Sequence, residues 1–339
     1  MDRFISNQIR KKDLLLVFEK KYHIISPLWS NHQLEWISGV YQSYKDHEKY
    51  MIVLYLIKKT FDFYSKNLVK ENFTEFFKKD FIEVDSFTIM EVSKAIDIAK
   101  ESARRKINEL EKSGAIKRAN KRIIIDKSMF PFMRPDKSII RISRFLSAIS
   151  NILYQENILK HKFESIKIED FIKNNFSLIW KLYYEVQIPN LLKWKKVFTD
   201  LETFHVWAVC VVNQKLNSQK TPQSNDKINK KKYLDRYFFT DDKVIDGINA
   251  MSISDISGIP RATVIRKLNI LLEKKYLVID DKKHYSLATV HLKKLTLIQE
   301  INLNFLSEFI ASVFNLILIE QKNLKKNEKL FFYLKLTQS

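Results

Sequence analysis

The spacing of apolar residues predicts that most of the chain is helical. Between residues 92 and 110, Val92, Ile96, Ile107 and Leu110 fall at intervals that place them on the inner faces of two successive helices. The whole chain has four glycines and six prolines, too few for the many tight turns of a β-sandwich or barrel. The pattern therefore predicts a mainly α fold with a few short strands.

An internal repeat divides the chain into two similar parts. Residues 90–116 align without a gap on residues 251–277, and Ser93, Arg105 and Lys106 recur as Ser254, Arg266 and Lys267. Two flanking blocks match in the same order: 46–52 with 200–206, and 145–147 with 305–307. Three ordered matches favour duplication over chance similarity, and they predict a first repeat over 1–160 and a second over 161–339.

Each central block predicts the same four elements. A short helix and a turn come first, followed by a second helix from about Lys100 in the first copy and Pro260 in the second. Gly114 is placed to end the helix of the first copy, and a β-hairpin follows in both copies. These units span about 86–128 and 247–289. The polar stretch 213–232 is predicted to be a solvated loop.

The second helix of each block carries a family resemblance. Residues 258–268, reading GIPRATVIRKL, resemble the recognition-helix segment of bacterial winged-helix repressors of the MarR and IclR groups. Residues 106–116, reading KINELEKSGAI, are similar to the end of the same motif, so the resemblance covers about 40 residues in each copy. Two positions depart from the pattern: Lys275 stands where a cap glycine is expected, and Ala99 replaces a Ser or Thr cap.

The resemblance implies a specific architecture. It implies a mainly α, internally duplicated chain with two winged helix-turn-helix units, each with a small β-hairpin wing. Long trailing helices over 139–153 and 297–319 would flank the units and pair with each other as the core of a pseudo-dimer. In this fold the second helix of the motif enters the major groove of DNA and the wing lies against the backbone.

The charge of the chain favours a polyanionic partner. Its 59 basic and 39 acidic residues give a formal net charge of +20, divided equally between residues 1–150 and the remainder. Such a positive surface favours nucleic acid first and anionic lipid second. A lysine-rich composition inherited from an AT-rich genome is the alternative explanation, so the motif has to decide between them.

The candidate DNA contacts are the polar residues on the outer face of each recognition helix and in each wing. Arginine pairs bidentately with guanine and asparagine with adenine, and wing cations suit phosphates. The second wing also carries Asp280 and Asp281, so we expect it to bind phosphate less well. The candidates are Lys100, Ser102, Arg104, Arg105, Asn108, Lys117, Arg118, Lys121 and Arg122 in the first unit, and Arg261, Thr263, Arg266, Lys267, Asn269, Lys282 and Lys283 in the second.

These residues predict a sequence-specific double-stranded DNA-binding protein, a transcriptional regulator that reads two adjacent major grooves. Two units in one chain would do this as a monomeric pseudo-dimer, or the chain would form a homodimer. A plasmid-type replication initiator with tandem winged helices and a winged-helix scaffold for a protein partner remain alternatives. The five tryptophans either belong to the core or line a pocket for a small-molecule effector.

Other chemistry has little support in the sequence. The seven histidines are scattered, and neither a metal-binding spacing nor a nucleophile motif is present, so we expect no enzyme activity, metal or cofactor. Cys210 lies in an apolar run and is expected to be a buried thiol. The longest apolar runs are about eight residues and the N-terminus lacks a signal-peptide pattern, which predicts a cytoplasmic protein without a membrane span.

Overall fold

The structure, a computed structural model, describes residues 8–84, 87–119, 122–126, 134–220, 229–238 and 247–336. At positions 118–119, 122, 220, 236–237 and 322–336 it describes the backbone alone. The described chain is mainly helical, with five short strands, which confirms the predicted fold class at that level.

The first half contains seven helices and a three-stranded antiparallel sheet with strand order β1-β3-β2, in the described residues. Ile125 of the central strand pairs with Ile82 on one side and Ile116 on the other. The elements are α1 (Lys11–Lys20), α2 (Tyr22–Tyr44), α3 (His47–Lys66), α4 (Phe73–Lys78), β1 (Phe81–Val84), α5 (Ile89–Ile96), α6 (Lys100–Lys112), β2 (Ile116–Ala119), β3 (Arg122–Asp126) and α7 (Asp136–Gln155).

The second half repeats this order with a smaller sheet. Strands β4 and β5 pair antiparallel, and Ile248 adds a single bridge to Tyr285 where the first half has a full strand. The elements are α8 (Ser165–Asn174), α9 (Phe176–Phe198), α10 (Leu201–Lys220), α11 (Lys230–Tyr237), α12 (Ala250–Ser257), α13 (Arg261–Glu273), β4 (Leu277–Ile279), β5 (Tyr285–Leu287) and α14 (Leu292–Leu336).

Each half packs on the other through equivalent helices. Helix α2 of the first half packs on α10 of the second, and α9 of the second half packs on α3 of the first. In the same way α1 packs on α14, and α8 packs on α7. When each helix is replaced by its equivalent in the other half, the same pairs of helices are in contact. Two units related by a two-fold axis have this property.

A single hydrophobic core joins the halves. Buried side chains extend from Ile9 to Ile317 without separating at residue 160, because α2, α3, α9 and α10 all contribute to the centre. The prediction that the trailing helices α7 and α14 pair chiefly with each other is wrong. Helix α7 packs chiefly on α8 and α2, and α14 packs chiefly on α9 and α1. Cys210 is buried in this core, as predicted.

The prediction of a solvated loop over 213–232 is wrong for much of that stretch. Helix α10 continues to Lys220 and α11 begins at Lys230, while residues 221–228 lie outside the described residues. The polar side chains that suggested a loop find distant partners inside the protein. Lys215, for example, donates from Nζ to the hydroxyls of Ser26 and Ser30 at 2.8 and 2.7 Å.

Helix α14 is the one described helix that is long and apolar enough to cross a bilayer. Residues 292–321 have a best-window mean hydropathy of 1.5, but 56% of that window is buried inside the protein. Leu306, Ile310 and Phe314 are all fully buried there. A core helix of a globular protein has the same length and composition, so the helix by itself is weak evidence for a membrane span.

Two buried histidines meet where the halves join. Nε2 of His47 on α3 lies 3.3 Å from Nδ1 of His205 on α10, and Nε2 of His205 lies 3.0 Å from the hydroxyl of Ser38 on α2. These bonds are satisfied when both rings carry their proton on Nε2. Burial lowers the pKa of His47 to about 4 and that of His205 well below its usual value, so both rings are neutral.

We expect acid to destabilise the protein through these rings. The unfolded chain takes up protons on histidine near pH 6.5, whereas the folded chain does not do so on His47 until about pH 4. The free energy of unfolding therefore falls as the pH drops from 6.5 towards 4. His47→Gln should reduce the fall between pH 6.5 and 5 by about 2 kcal/mol, measured by urea unfolding. His161→Gln, which changes an exposed histidine, is the control. If the free energy of unfolding falls equally with pH in His47→Gln and in the wild type, the prediction is contradicted.

Candidate nucleic-acid interface

A helix, a turn and a second helix occur in each half with the same internal hydrogen bond. In the first half the hydroxyl of Ser93 on α5 donates to the carbonyl oxygen of Ile98 at 2.7 Å. In the second half Ser254 on α12 donates to Ile259 at the same distance. Both serines were identical positions in the repeat, and this bond fixes the turn between the two helices of each motif.

The backbone conformation of the motif also repeats, even where the residue type does not. Asp97 and Gly258, at equivalent positions after the first helix, have φ of 54° and 70°. Gly114 and Lys275, at equivalent positions after the second helix, have φ of 77° and 56°. Lys275 therefore adopts the left-handed conformation in which a cap glycine would be expected. It does so although a side chain makes that conformation less favourable than it is for glycine.

A buried lysine fastens the second helix of the first motif to α3. Lys106 on α6 is 7% exposed and its ammonium bonds to the carboxylate of Asp46, with Glu48 at 3.5 Å. Asp46 also caps α3 by accepting from the backbone N–H groups of Glu48 and Lys49. Burial alone would raise the pKa of Asp46, but Lys106 and these two N–H groups together lower it below its usual range.

The second motif has the same attachment. The ammonium of Lys267 on α13, 7% exposed, lies 2.9 Å from Asp200 and 3.6 Å from Glu202 at the start of α10. The prediction that Lys267 contacts DNA is therefore wrong for this position. Its side chain lies on the inner face of the helix, and its ammonium pairs with the carboxylates of Asp200 and Glu202. The positive charge therefore does not face a DNA partner.

The outer face of α6 carries exposed cationic and amide side chains. Arg104, Arg105 and Asn108 are exposed, as is Lys100 at the first turn, while Ser102 is half-buried. Arg104 lies 3.4 Å from Glu101 and Arg105 lies 3.8 Å from Glu109. Such exposed pairs contribute little to stability, so a phosphate or base can take the place of the carboxylate.

The outer face of α13 is similar but carries fewer charges. Arg261, Arg266 and Asn269 are exposed, and Thr263 is half-buried in the position equivalent to Ser102. Arg105 and Arg266 occupy equivalent positions, as do Asn108 and Asn269. The predicted charged and amide contacts on the two helices, apart from Lys267, thus share one outer face within each helix, and Ser102 and Thr263 lie at its half-buried edge.

The hairpins differ between the halves. Lys117 on β2 is exposed, and its ammonium lies 3.6 Å from Asp126 and over the ring of Phe81. The backbones of Arg118 and Arg122 belong to β2 and β3, whereas Lys121 lies outside the described residues. The remaining predicted contacts, Lys282 and Lys283, are exposed in the turn of the second hairpin.

The aspartates of the second hairpin have different surroundings. Asp280 accepts from the backbone N–H groups of Lys282 and His284, at 3.0 and 2.8 Å, so its carboxylate holds the turn together. Asp281 is exposed beside it. That the second hairpin attracts phosphate less strongly than the first stays a prediction.

Sequence reasoning missed the carboxylates and lysines that position the motifs. Lys195 on α9 lies 3.1 Å from Glu48 and donates to the carbonyl oxygen of Asp97 at 2.6 Å, which ties the other half to the first turn. Lys49 on α3 lies 2.6 Å from Glu109 on α6. The identity of Lys106 with Lys267 and of Asp46 with Asp200 in the repeat was the available signal.

In the described part of the chain, no group of three or more His, Cys, Asp or Glu side chains converges as a metal ion would require. Comparison with protein-family profiles, curated proteins and solved structures finds no match for this chain.

Removing either buried lysine should loosen its motif. Lys106→Met leaves the half-buried carboxylate of Asp46 without its ammonium partner, and we expect a loss of about 1–3 kcal/mol in the free energy of unfolding, below the cost at a fully buried pair. Lys267→Met should behave in the same way. Urea unfolding measures both, with Lys112→Met on the exposed end of α6 as the control. A Lys106→Met protein as stable as this control would show that the ion pair does not hold the helix.

Proposed function

We propose that each helix–turn–helix–hairpin is a winged helix-turn-helix unit, that the two arose by duplication, and that the chain binds double-stranded DNA sequence-specifically as a transcriptional regulator. One observation carries the proposal. Each half presents an exposed, arginine-bearing helix whose inner face is fastened by an equivalent buried lysine, Lys106 or Lys267. A rigidly held helix with arginine and asparagine outward suits base reading in a major groove.

The equivalent packing of the two halves supports the presence of two DNA-binding units in one chain. Helix-turn-helix dimers place their recognition helices about one helical turn of DNA apart through a two-fold axis. Here the matched contacts of α2 with α10 and of α9 with α3 provide such a relation within a single polypeptide. The chain then acts as a monomeric pseudo-dimer in the cytoplasm.

The outward residues differ between the two units, and this bears on the DNA site. The first unit presents Lys100 and Arg104 where the second has Arg261 and Ile265. The two half-sites should therefore differ in sequence, and the whole site should be non-palindromic. A plasmid-type replication initiator would use the same contacts, and the genomic location of the bound sites separates it from a regulator.

A protein-binding scaffold is the second candidate, and one observation favours it. Val278 and Ile279 on β4 are 50% and 45% exposed, which is unusual for the wing of a DNA-binding unit that faces phosphates. Salt dependence separates the two functions. DNA binding through six to ten phosphates weakens by about three to five decades between 50 and 200 mM salt, whereas an apolar interface need not.

Neutralising the paired arginines should weaken DNA binding. We expect Arg105→Gln and Arg266→Gln each to lower the affinity by about tenfold, because each removes a cation that binds a base or a phosphate. The salt slope should flatten by about one for every phosphate that is no longer neutralised. Fluorescence anisotropy on a duplex recovered from a randomised pool measures both quantities. Arg10→Gln, which changes an exposed residue outside both units, is the control, and unchanged affinity in both single variants would remove both residues from the interface.

Selection from a randomised duplex pool should recover two unlike half-sites about 10 base pairs apart. Sedimentation of the recovered complex should give one chain for each duplex, because a single polypeptide supplies both recognition helices. Symmetric half-sites bound by two chains would instead show that the chain works as a homodimer with one reading helix from each copy.

A further inference from the structure

A cavity of about 90 Å³ lies among α2, α9, α10, α11 and α14, away from the outer faces of α6 and α13. Three tryptophans form much of its wall: Trp29, Trp194 and Trp207. A few polar groups, among them Lys215 and Asn302, also line it. An apolar, aromatic wall with a small number of polar groups is typical of a small-molecule site.

Lys215 is a buried cation without an acidic partner among the described residues. It is 4% exposed, and Nζ donates to the hydroxyls of Ser26 and Ser30 at 2.8 and 2.7 Å. Two of the three N–H donors of an ammonium are thereby used. Burial, which removes the ammonium from water, lowers the pKa of Lys215 to about 7. A charge in this position is stabilised by any anion that enters the cavity.

Further polar groups on the cavity wall have no hydrogen-bond partner. Both amide atoms of Asn302, which is 3% exposed, and the indole N–H of Trp207, which is 5% exposed, are unpaired within the described residues. Unpaired buried polar atoms are costly, and these show that the cavity wall carries polar groups besides Lys215. Gln299 adds a third amide nearby, because it donates to the same hydroxyl of Ser26 that Lys215 contacts.

One face of α10 forms part of the cavity wall. Trp207, Val211 and Lys215 line it at intervals of four residues, which spans about 12 Å along the helix axis. The charge lies at one end of this stripe and the indole at the other. A small cavity with one charged group on a largely apolar wall suits a small molecule that carries one charge and an apolar body.

We propose that this cavity binds a small monocarboxylate with an apolar body, its carboxylate on Lys215 and its hydrocarbon against Val211 and the tryptophans. A chain of about six carbons extends about 6–7 Å, roughly half of the 12 Å between Lys215 and Trp207 along α10, so it reaches from Lys215 past Val211. The proposal rests on the cavity alone and stands whether or not the chain binds DNA.

Hexanoate and its neutral analogue hexanamide test the proposal on the full-length protein. Isothermal titration calorimetry gives both affinities, and tryptophan fluorescence reports entry, since three of the five tryptophans line the cavity. We expect hexanoate to bind about tenfold or more tightly than hexanamide, because its carboxylate makes a charge-assisted hydrogen bond. Equal affinities, or no binding of hexanoate, would overturn the proposal.

Two variants locate the binding. Lys215→Met keeps the length of the side chain and should lower hexanoate affinity by about tenfold or more, while hexanamide affinity changes less than about twofold. Ala208→Phe leaves Lys215 in place and fills the cavity, so it should abolish binding of both compounds. Circular dichroism confirms that each variant is folded, and if Lys215→Met fails to fold, Ala208→Phe decides. Hexanoate binding that survives Ala208→Phe unchanged would place the ligand elsewhere and refute the assignment.

Discussion

The ion pair between a buried lysine on the second helix of each motif and a partly exposed aspartate on the helix behind it is the contact that positions the exposed arginines. Lys106 and Lys267 reach inward to Asp46 and Asp200, and each aspartate also caps the helix on which it stands. An unpaired carboxylate or ammonium in that position would be costly, so the pair allows only a narrow range of helix rotations. That rotation decides which residues of α6 and α13 remain in solvent.

The shared core then fixes one motif relative to the other. Because α2 packs on α10 and α9 packs on α3, neither half buries its apolar surface without the other. The neutral pair of His47 and His205 sits in this junction, where both rings are removed from water. If the proposed DNA binding holds, the spacing of the two recognition helices is set before DNA is met, and little ordering free energy is spent on binding.

Three lysines show why a net charge of +20 is an incomplete description of the surface. Lys106 and Lys267 neutralise carboxylates inside the protein, and Lys215 lies in an aromatic cavity beside two serines. Each stands in a helical segment that reads as polar, yet none is available to a polyanion. The cations that face solvent on α6 and α13 are a smaller set, and they include the arginines on which the proposed function rests.

The sequence by itself determined the helical class and the bounds of the short elements around residues 90–126 and 250–287, because these depend on local periodicity and turn residues. The tertiary structure decided what depends on distant partners. In it, Lys267 points inward and pairs with Asp200, and α10 continues through a polar stretch. Helices α7 and α14 pack chiefly on other helices and not on each other. A lysine bonded to a residue almost two hundred positions away leaves no local pattern, since its partner is chosen by packing and not by spacing.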